Sequence, residues 1–110
     1  MRLKNVKNVL IDIDGVLIEG DSKVTEGAAD AVKYLKSKYR CLFVTNLTRK
    51  RRSEQCERLR NHGFDIKEDE IFTAANACID YVKSLKKNAK CFTTSSSEID
   101  KDFESAGITV

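Results

Sequence analysis

Two rhythms of apolar residues alternate along this chain. Short unbroken runs, such as Val9-Leu10-Ile11, Cys41-Leu42-Phe43-Val44 and Ile71-Phe72, have the length and β-branched or aromatic character of strands. Between them, apolar residues recur three and four positions apart, as on one face of a helix. Residues 6–13 read as a central strand, apolar enough to be covered on both faces. Residues 15–24 read as a loop containing Gly20 and Asp21. Thr25 is the expected N-cap of a helix running to about Lys38, with Ala28, Ala31, Val32 and Leu35 inward and Tyr34 and Tyr39 at the rim.

The second strand, Cys41 to Val44, ends at Thr45-Asn46. Thr48 can cap a second helix that closes at Gly63 through a left-handed residue. Phe64-Asp65-Ile66 and Asp69-Glu70 lead into Ile71-Phe72, and Thr73 is a good N-cap for a helix over roughly 74–86. Its inward face is expected to hold Ala74, Ala75, Cys78, Val82 and Leu85. Residues 89–94 read as another strand and Ser95 to Ser97 as a turn. Ser97 with Asp100 resembles a capping box, Ile99, Phe103 and Ala106 stripe the helix, and Gly107 ends it. Residues 108–110 open one more strand.

Strands and helices that alternate through short connections specify an α/β fold with a parallel sheet and right-handed crossovers. Such folds bind ligands at the carboxyl ends of their strands. Asp12, Asp14, Thr45 and Asn46 all fall at that edge. The stretch NVLIDIDGVLIEG, residues 8–20, is the most informative. Its strand runs into two acids one residue apart, which a period of two would point to the same side. Two like charges there are costly unless a cation or a chemical task uses them. One acid attacking as a nucleophile and the other moving protons, with a divalent metal to offset the charge, is one such task. The alternative is an acidic pair that only ends a strand at a turn. Gly15 lets the backbone turn there or approach a ligand closely.

Composition narrows the class. A chain of 110 residues, 41% hydrophobic and 34% charged, suits one small globular unit or part of a larger one. A net charge of +3 favours anionic ligands slightly and makes a nucleic-acid partner unnecessary. No apolar run is long enough to span a membrane and no signal-peptide pattern opens the chain, so a cytoplasmic location is expected. The four cysteines, Cys41, Cys56, Cys78 and Cys91, match no zinc spacing and are expected as buried free thiols. Asn46-Leu47-Thr48 fits a glycosylation pattern that carries no weight without secretion.

The D-x-D-G-V-L at Asp12 to Leu17, following a hydrophobic strand, resembles the first motif of the haloacid dehalogenase-like (HAD) phosphatases. Nearly the whole chain is similar to the first part of one branch, the NagD/p-nitrophenylphosphatase-like group. Within it, the phospholysine phosphohistidine inorganic pyrophosphate phosphatases and their relatives are the most similar in character. FDIKEDEIFTA, residues 64–74, also resembles a stretch of that group.

The resemblance implies a Rossmann-like core of three αβα layers, apparently incomplete here. It implies Asp12 as nucleophile, Asp14 as acid and base, and Mg²⁺ held by the Asp12 carboxylate and the Asp14 backbone carbonyl. It implies a small phosphorylated substrate whose phosphoryl group meets Gly15, Thr45 and Asn46. Thr45-Asn46 resembles the family's second motif, although Thr-Asn is also common turn chemistry. Glu26-Gly27 stands where relatives often have proline before the glycine, a change of rigidity and not of chemistry.

Two family features have no clear place: a lysine from a third motif and a later acidic pair. Lys83, Lys86 or Lys87 could imitate the first and Glu98 with Asp100 the second, but an amphipathic helix and a cap explain those residues better. The expected division is a first part of the core over about 1–87 and the start of a truncated cap domain over about 88–110. Feeble activity follows, or a non-catalytic module that binds phosphate or Mg²⁺ or completes its sheet with a partner, such as a second copy at an exposed edge. A receiver-like signalling domain also uses strand-end aspartates, and D-G-V-L argues against it. The basic run Arg49 to Arg52 reads as a solvated first turn of the second helix, unfavourable to its dipole. His62, beside a C-cap glycine, reads as a surface or capping residue.

Overall fold

A computed structural model of the chain describes residues 4–110. Its elements are β1 (Asn8–Asp12), β2 (Ile18–Glu19), β3 (Lys23–Val24), α1 (Ala28–Lys38), β4 (Arg40–Thr45), α2 (Arg52–Asn61), β5 (Ile71–Thr73), α3 (Ala74–Leu85) and α4 (Ser97–Ser105), with a 3₁₀ turn at Glu68–Glu70 before β5. β1, β4 and β5 form a parallel sheet in the order β1-β4-β5. The α/β class and the parallel sheet therefore stand as the alternation of elements predicts.

One sheet face carries the core. Ile13, Cys41, Phe43 and Ile71 pack against Ala28 and Val32 of α1 and Cys56 and Leu59 of α2. The opposite face is less covered. Leu10 on β1 is 69% exposed, although it lies within an apolar run. β1 is an edge strand here, not the covered central strand expected, because among the described residues no strand pairs with its outer side. The layering is correspondingly incomplete.

Several boundaries differ from expectation for local reasons. α1 begins at Ala28 and not at Thr25, because Gly27 sits at φ +77, outside the helical region, and only then does the chain turn in. Its buried face holds Ala28 and Val32 with Ala29 and Leu35 alongside, while Ala31 faces solvent. The expected loop over 15–24 contains a small antiparallel hairpin, β2 with β3, whose Ile18 is fully buried. α2 starts at Arg52 with Arg51 as N-cap, so Thr48 caps nothing. Its end is as expected: Gly63 and Phe64 donate to the carbonyls of Arg60 and Leu59 at 3.1 and 3.0 Å.

The Thr73 cap is also as expected. Its hydroxyl accepts the Asn76 N–H at 3.1 Å, and the Asn76 side chain accepts the Thr73 N–H at 3.1 Å. Thr73→Ala should cost about 1 kcal/mol of stability, measurable by urea unfolding. The buried face of α3 holds Ala75 and Ile79, rotated from the expected one, which leaves Cys78 and Leu85 exposed.

Residues 89–94 and 108–110 meet only through a single parallel bridge, Lys90 with Thr109, and not as full strands. The N-cap of α4 is Ser96, not Ser97, and Asp100 accepts from Thr93 and Ser95 instead of capping. Ile99, Phe103 and Ile108 pack with Ala75 and Ile79 in a second cluster, separate from the main core.

The cysteines divide accordingly. Cys41 and Cys56 are buried, Cys91 is half-buried and Cys78 is exposed, which corrects the expectation of four buried thiols. Burial pushes the Cys41 and Cys56 thiols above their ordinary pKa and keeps them protonated. Iodoacetamide should therefore label Cys78 in the native protein, and Cys41 and Cys56 only after denaturation, as peptide mapping would show. No helix among the described residues is long and apolar enough to cross a membrane.

Candidate active site

β1 and β4 run in register, with Asp12 opposite Val44, and β4 and β5 align Thr45 with Thr73. Three parallel strands thus end together in Asp12, Thr45 and Thr73. A cleft of about 370 Å³ opens at this edge, lined by Asp12, Thr45, Asn46 and Thr73 with Ala74 and Ala77 of α3. Two candidate residues from separate strands, Asp12 and Thr45, are brought to one place, with Asn46 beside them.

Asp12 is exposed at the rim. Its Oδ1 accepts the Ile13 backbone N–H at 2.9 Å, and no hydrogen bond among the described residues engages its Oδ2. A carboxylate held at one oxygen and open at the other suits attack on an electrophile or ligation of a cation.

Asp14 is aimed differently. β1 stops at Asp12, so the strand period no longer governs Asp14. The carbonyl of Ile13 accepts the N–H of Leu17 at 2.9 Å, and Gly15, at φ +81, donates its N–H to the Ile18 carbonyl at 2.8 Å. This tight turn swings Asp14 toward β4 and α2. Its Oδ2 accepts the Thr45 hydroxyl at 2.8 Å and its Oδ1 accepts Nη1 of Arg58 at 3.1 Å. Gly15 is thus needed for its positive φ, and its amide is committed within the turn and does not line the cleft.

Arg58 is absent from the residues expected at the site. Its side chain is only 8% exposed, far below what an arginine on a solvated helix shows. It donates from Nη1 to Gln55 Oε1 at 3.1 Å and from Nη2 to the Gly20 carbonyl. The signal for it was helical spacing. Gln55, Arg58 and Leu59 stand at i, i+3 and i+4, beside Cys56, so a basic residue shares the face that Leu59 buries. The charge cost noticed for the acidic pair is met in part by this cation.

The run Arg49 to Arg52 is not a solvated helical turn. Arg51 pairs with Asp102 of α4 at 2.7 Å, Arg52 with Glu68 at 3.8 Å and Lys50 with Asp21 at 3.7 Å. These partners, and Glu54 accepting the Arg51 N–H at 3.3 Å, offset the unfavourable position at the helix N-terminus. His62 Nδ1 lies 2.7 Å from the Arg58 carbonyl, a capping contact as expected. Glu98 pairs with Lys101 at 2.8 Å, and neither it nor Asp100 lines the cleft.

The donors available to a metal are all oxygen. Asp12 Oδ2 and the Asp14 backbone carbonyl are hard ligands of the kind Mg²⁺ prefers, and Mg²⁺ retains water where protein ligands are few. The Asp14 carboxylate is already taken by Thr45 and Arg58. Among the described residues no group of three or more acidic, histidine or cysteine side chains could enclose an ion. The residues present fit a sparsely ligated Mg²⁺ and not a closed cage.

A family model described as haloacid dehalogenase-like hydrolase matches residues 9–109. The chain is 31% identical to the acid sugar phosphatase of Staphylococcus haemolyticus over 109 residues, covering 98% of this chain and 41% of that one. It is 32% identical to phosphoglycolate phosphatase 1A, chloroplastic, of Arabidopsis thaliana over 108 residues, covering 96% and 30%. The p-nitrophenyl phosphatase from Archaeoglobus fulgidus superposes with a TM-score of 0.84 at 33% identity, over 94% of this chain and 40% of that one. NagD from E. coli shares the fold, with a TM-score of 0.83 at 24% identity, over 96% and 42%. The chain thus spans about 30–42% of the length of these relatives. From the match over almost its whole length, together with Asp12, Asp14 and Thr45 gathered at one sheet edge, the chain belongs to the haloacid dehalogenase-like hydrolases.

Proposed function

We propose that this chain carries the nucleophile and acid–base half of a Mg²⁺-dependent phosphatase that acts on a small phosphorylated substrate through an aspartyl-phosphate. The carrying observation is that Asp12 and Thr45 share one cleft while Thr45 holds Asp14 at 2.8 Å. Asp12 Oδ2 attacks phosphorus, the bond to the leaving oxygen breaks, and that oxygen takes a proton from Asp14. Asp14 then accepts a proton from the water that attacks the aspartyl-phosphate, which frees Asp12 and releases phosphate. Thr45 and the Asn46 backbone are assigned to a phosphoryl oxygen. Asp12 and the Asp14 carbonyl would hold Mg²⁺, which would supply neutralisation of the substrate's negative charge.

The relatives' names support this reading: an acid sugar phosphatase, a phosphoglycolate phosphatase and a p-nitrophenyl phosphatase. Residues 1–87 are assigned to the first part of the core and 88–110 to the start of a cap. The support is that the segment from Ala89 onward adds no strand to the main sheet and packs a second cluster. With the lysine and later acidic pair unplaced, turnover of p-nitrophenyl phosphate by the chain alone is expected to be weak or absent. Mg²⁺-dependent turnover at the rate of an ordinary enzyme, about 10 s⁻¹, would contradict that.

A second reading rests on the open side of β1, where Leu10 is exposed at the sheet edge. An unpaired edge and a bare apolar residue favour a partner that completes the sheet, a second copy included. Light scattering with and without a phosphate analogue tests it. A concentration-dependent dimer supports this reading, and a strict monomer with no ligand-induced stabilisation removes it.

A further inference from the structure

We propose that Arg58 is a positioning residue for Asp14, holding one carboxylate oxygen while Thr45 holds the other, so that the acid keeps one orientation at the site. The inference rests on the phosphatase reading and goes beyond it, because Arg58 lies on α2 and not at the end of any strand.

The geometry is a three-way tie. From one nearly buried guanidinium, Nη1 reaches Asp14 Oδ1 at 3.1 Å and Gln55 Oε1 at 3.1 Å, while Nη2 reaches the Gly20 carbonyl in the hairpin turn. Arg58 thereby joins α2, the β2–β3 hairpin and the acid. The other oxygen, Oδ2, accepts the Thr45 hydroxyl at 2.8 Å, so both carboxylate oxygens are held. The Thr45 hydroxyl can donate or accept, and it also accepts the Leu47 N–H at 3.1 Å. Arg58 thus sets the orientation in which Asp14 stands against Thr45. The fork is rigid and planar, so lysine can keep the charge and lose this simultaneous hold. Gln55, fully buried, supports the guanidinium from within the same helix.

The test separates proton delivery from binding and folding. A leaving group that departs readily as an anion, as p-nitrophenolate does, needs little protonation, whereas an alkyl alkoxide needs it strongly. Turnover of p-nitrophenyl phosphate and of a simple alkyl phosphate is measured with enzyme in excess over substrate, for the wild type, Arg58→Met and Arg58→Lys. Arg58→Met is expected to lose about tenfold to a hundredfold more of its limiting single-turnover rate on the alkyl ester than on the aryl ester, with the half-saturating enzyme concentration for both nearly unchanged. Arg58→Lys should be intermediate while remaining folded, and added guanidinium should restore part of the loss in Arg58→Met. Equal losses on both esters, or none, in a folded variant of an active wild type overturn the proposal while the phosphatase reading stands. A wild type inert toward both esters agrees with the weak or absent turnover expected of the chain alone, and then ¹⁵N NMR of the Arg58 guanidinium decides the proposal. Slow-exchanging Nη protons that are released in Asp14→Asn support the hold, and fast exchange in the wild type overturns it.

Discussion

Asp12→Asn is expected to remove whatever Mg²⁺-dependent turnover of p-nitrophenyl phosphate the chain shows, down to the buffer background. An amide oxygen cannot form the acyl-phosphate, and it removes the negative charge that would hold the cation. The structure makes the substitution informative, because Asp12 is exposed and its one recorded hydrogen bond is to the adjacent Ile13 N–H through Oδ1. Asparagine can keep that contact through its own carbonyl oxygen, so the fold should survive. Circular dichroism and the thermal midpoint should match the wild type within about 2 °C, since surface changes typically alter stability by under about 0.5 kcal/mol. Loss of activity with an intact fold is the expected pair of results. Retained activity would place the nucleophile elsewhere.

The largest effect on stability is expected from Phe43→Ala. Phe43 is fully buried in β4, the middle strand of the sheet, and belongs to the main core cluster with Val32 of α1 and Leu59 of α2. Truncating a buried phenylalanine costs about 3–5 kcal/mol, the transfer of the ring plus the cavity left behind. A domain's whole stability is about 5–15 kcal/mol. The variant should therefore unfold at a much lower urea midpoint or fail to fold at room temperature. Leu10→Ala, on the open side of the sheet, removes an aliphatic side chain that is already 69% exposed and should shift the midpoint far less. Comparable losses at the two positions would mean that the exposed face is covered in solution, as the partner-completed reading requires.

Much of this architecture is legible in the chain because local and tertiary demands agree. β4 needs an apolar run with a polar stop, and Cys41 to Thr45 provide both. α3 needs a residue that can satisfy its first amides, and Thr73 with Asn76 does so reciprocally. The strand-end placement of Asp12 and Thr45 follows from parallel topology alone.

What was not legible depends on contacts between distant segments. The apolar run of β1 looks the same whether a neighbouring strand covers it or not, so its place at an edge could not be read locally. The start of α2 is not legible because Thr48 resembles a cap, while the chain bends at Arg49 and Lys50 and becomes helical only after Arg51, whose side chain pairs with Asp102, 51 residues on. The buried face of α3 is set by the second cluster, where Ile99 and Phe103 select Ala75 and Ile79 over Cys78 and Leu85. Arg58 is not legible because a helix rich in arginine looks solvated, and its acid lies 44 residues earlier.

Beryllofluoride with Mg²⁺ is the most direct probe, since it imitates a phosphoryl group on a carboxylate and needs no turnover. ¹⁹F NMR of the protein is predicted to show one bound adduct that persists in Asp14→Asn and disappears in Asp12→Asn. No adduct on the folded protein, or one that survives Asp12→Asn, would contradict the assignment of Asp12 as the residue that takes the phosphoryl group.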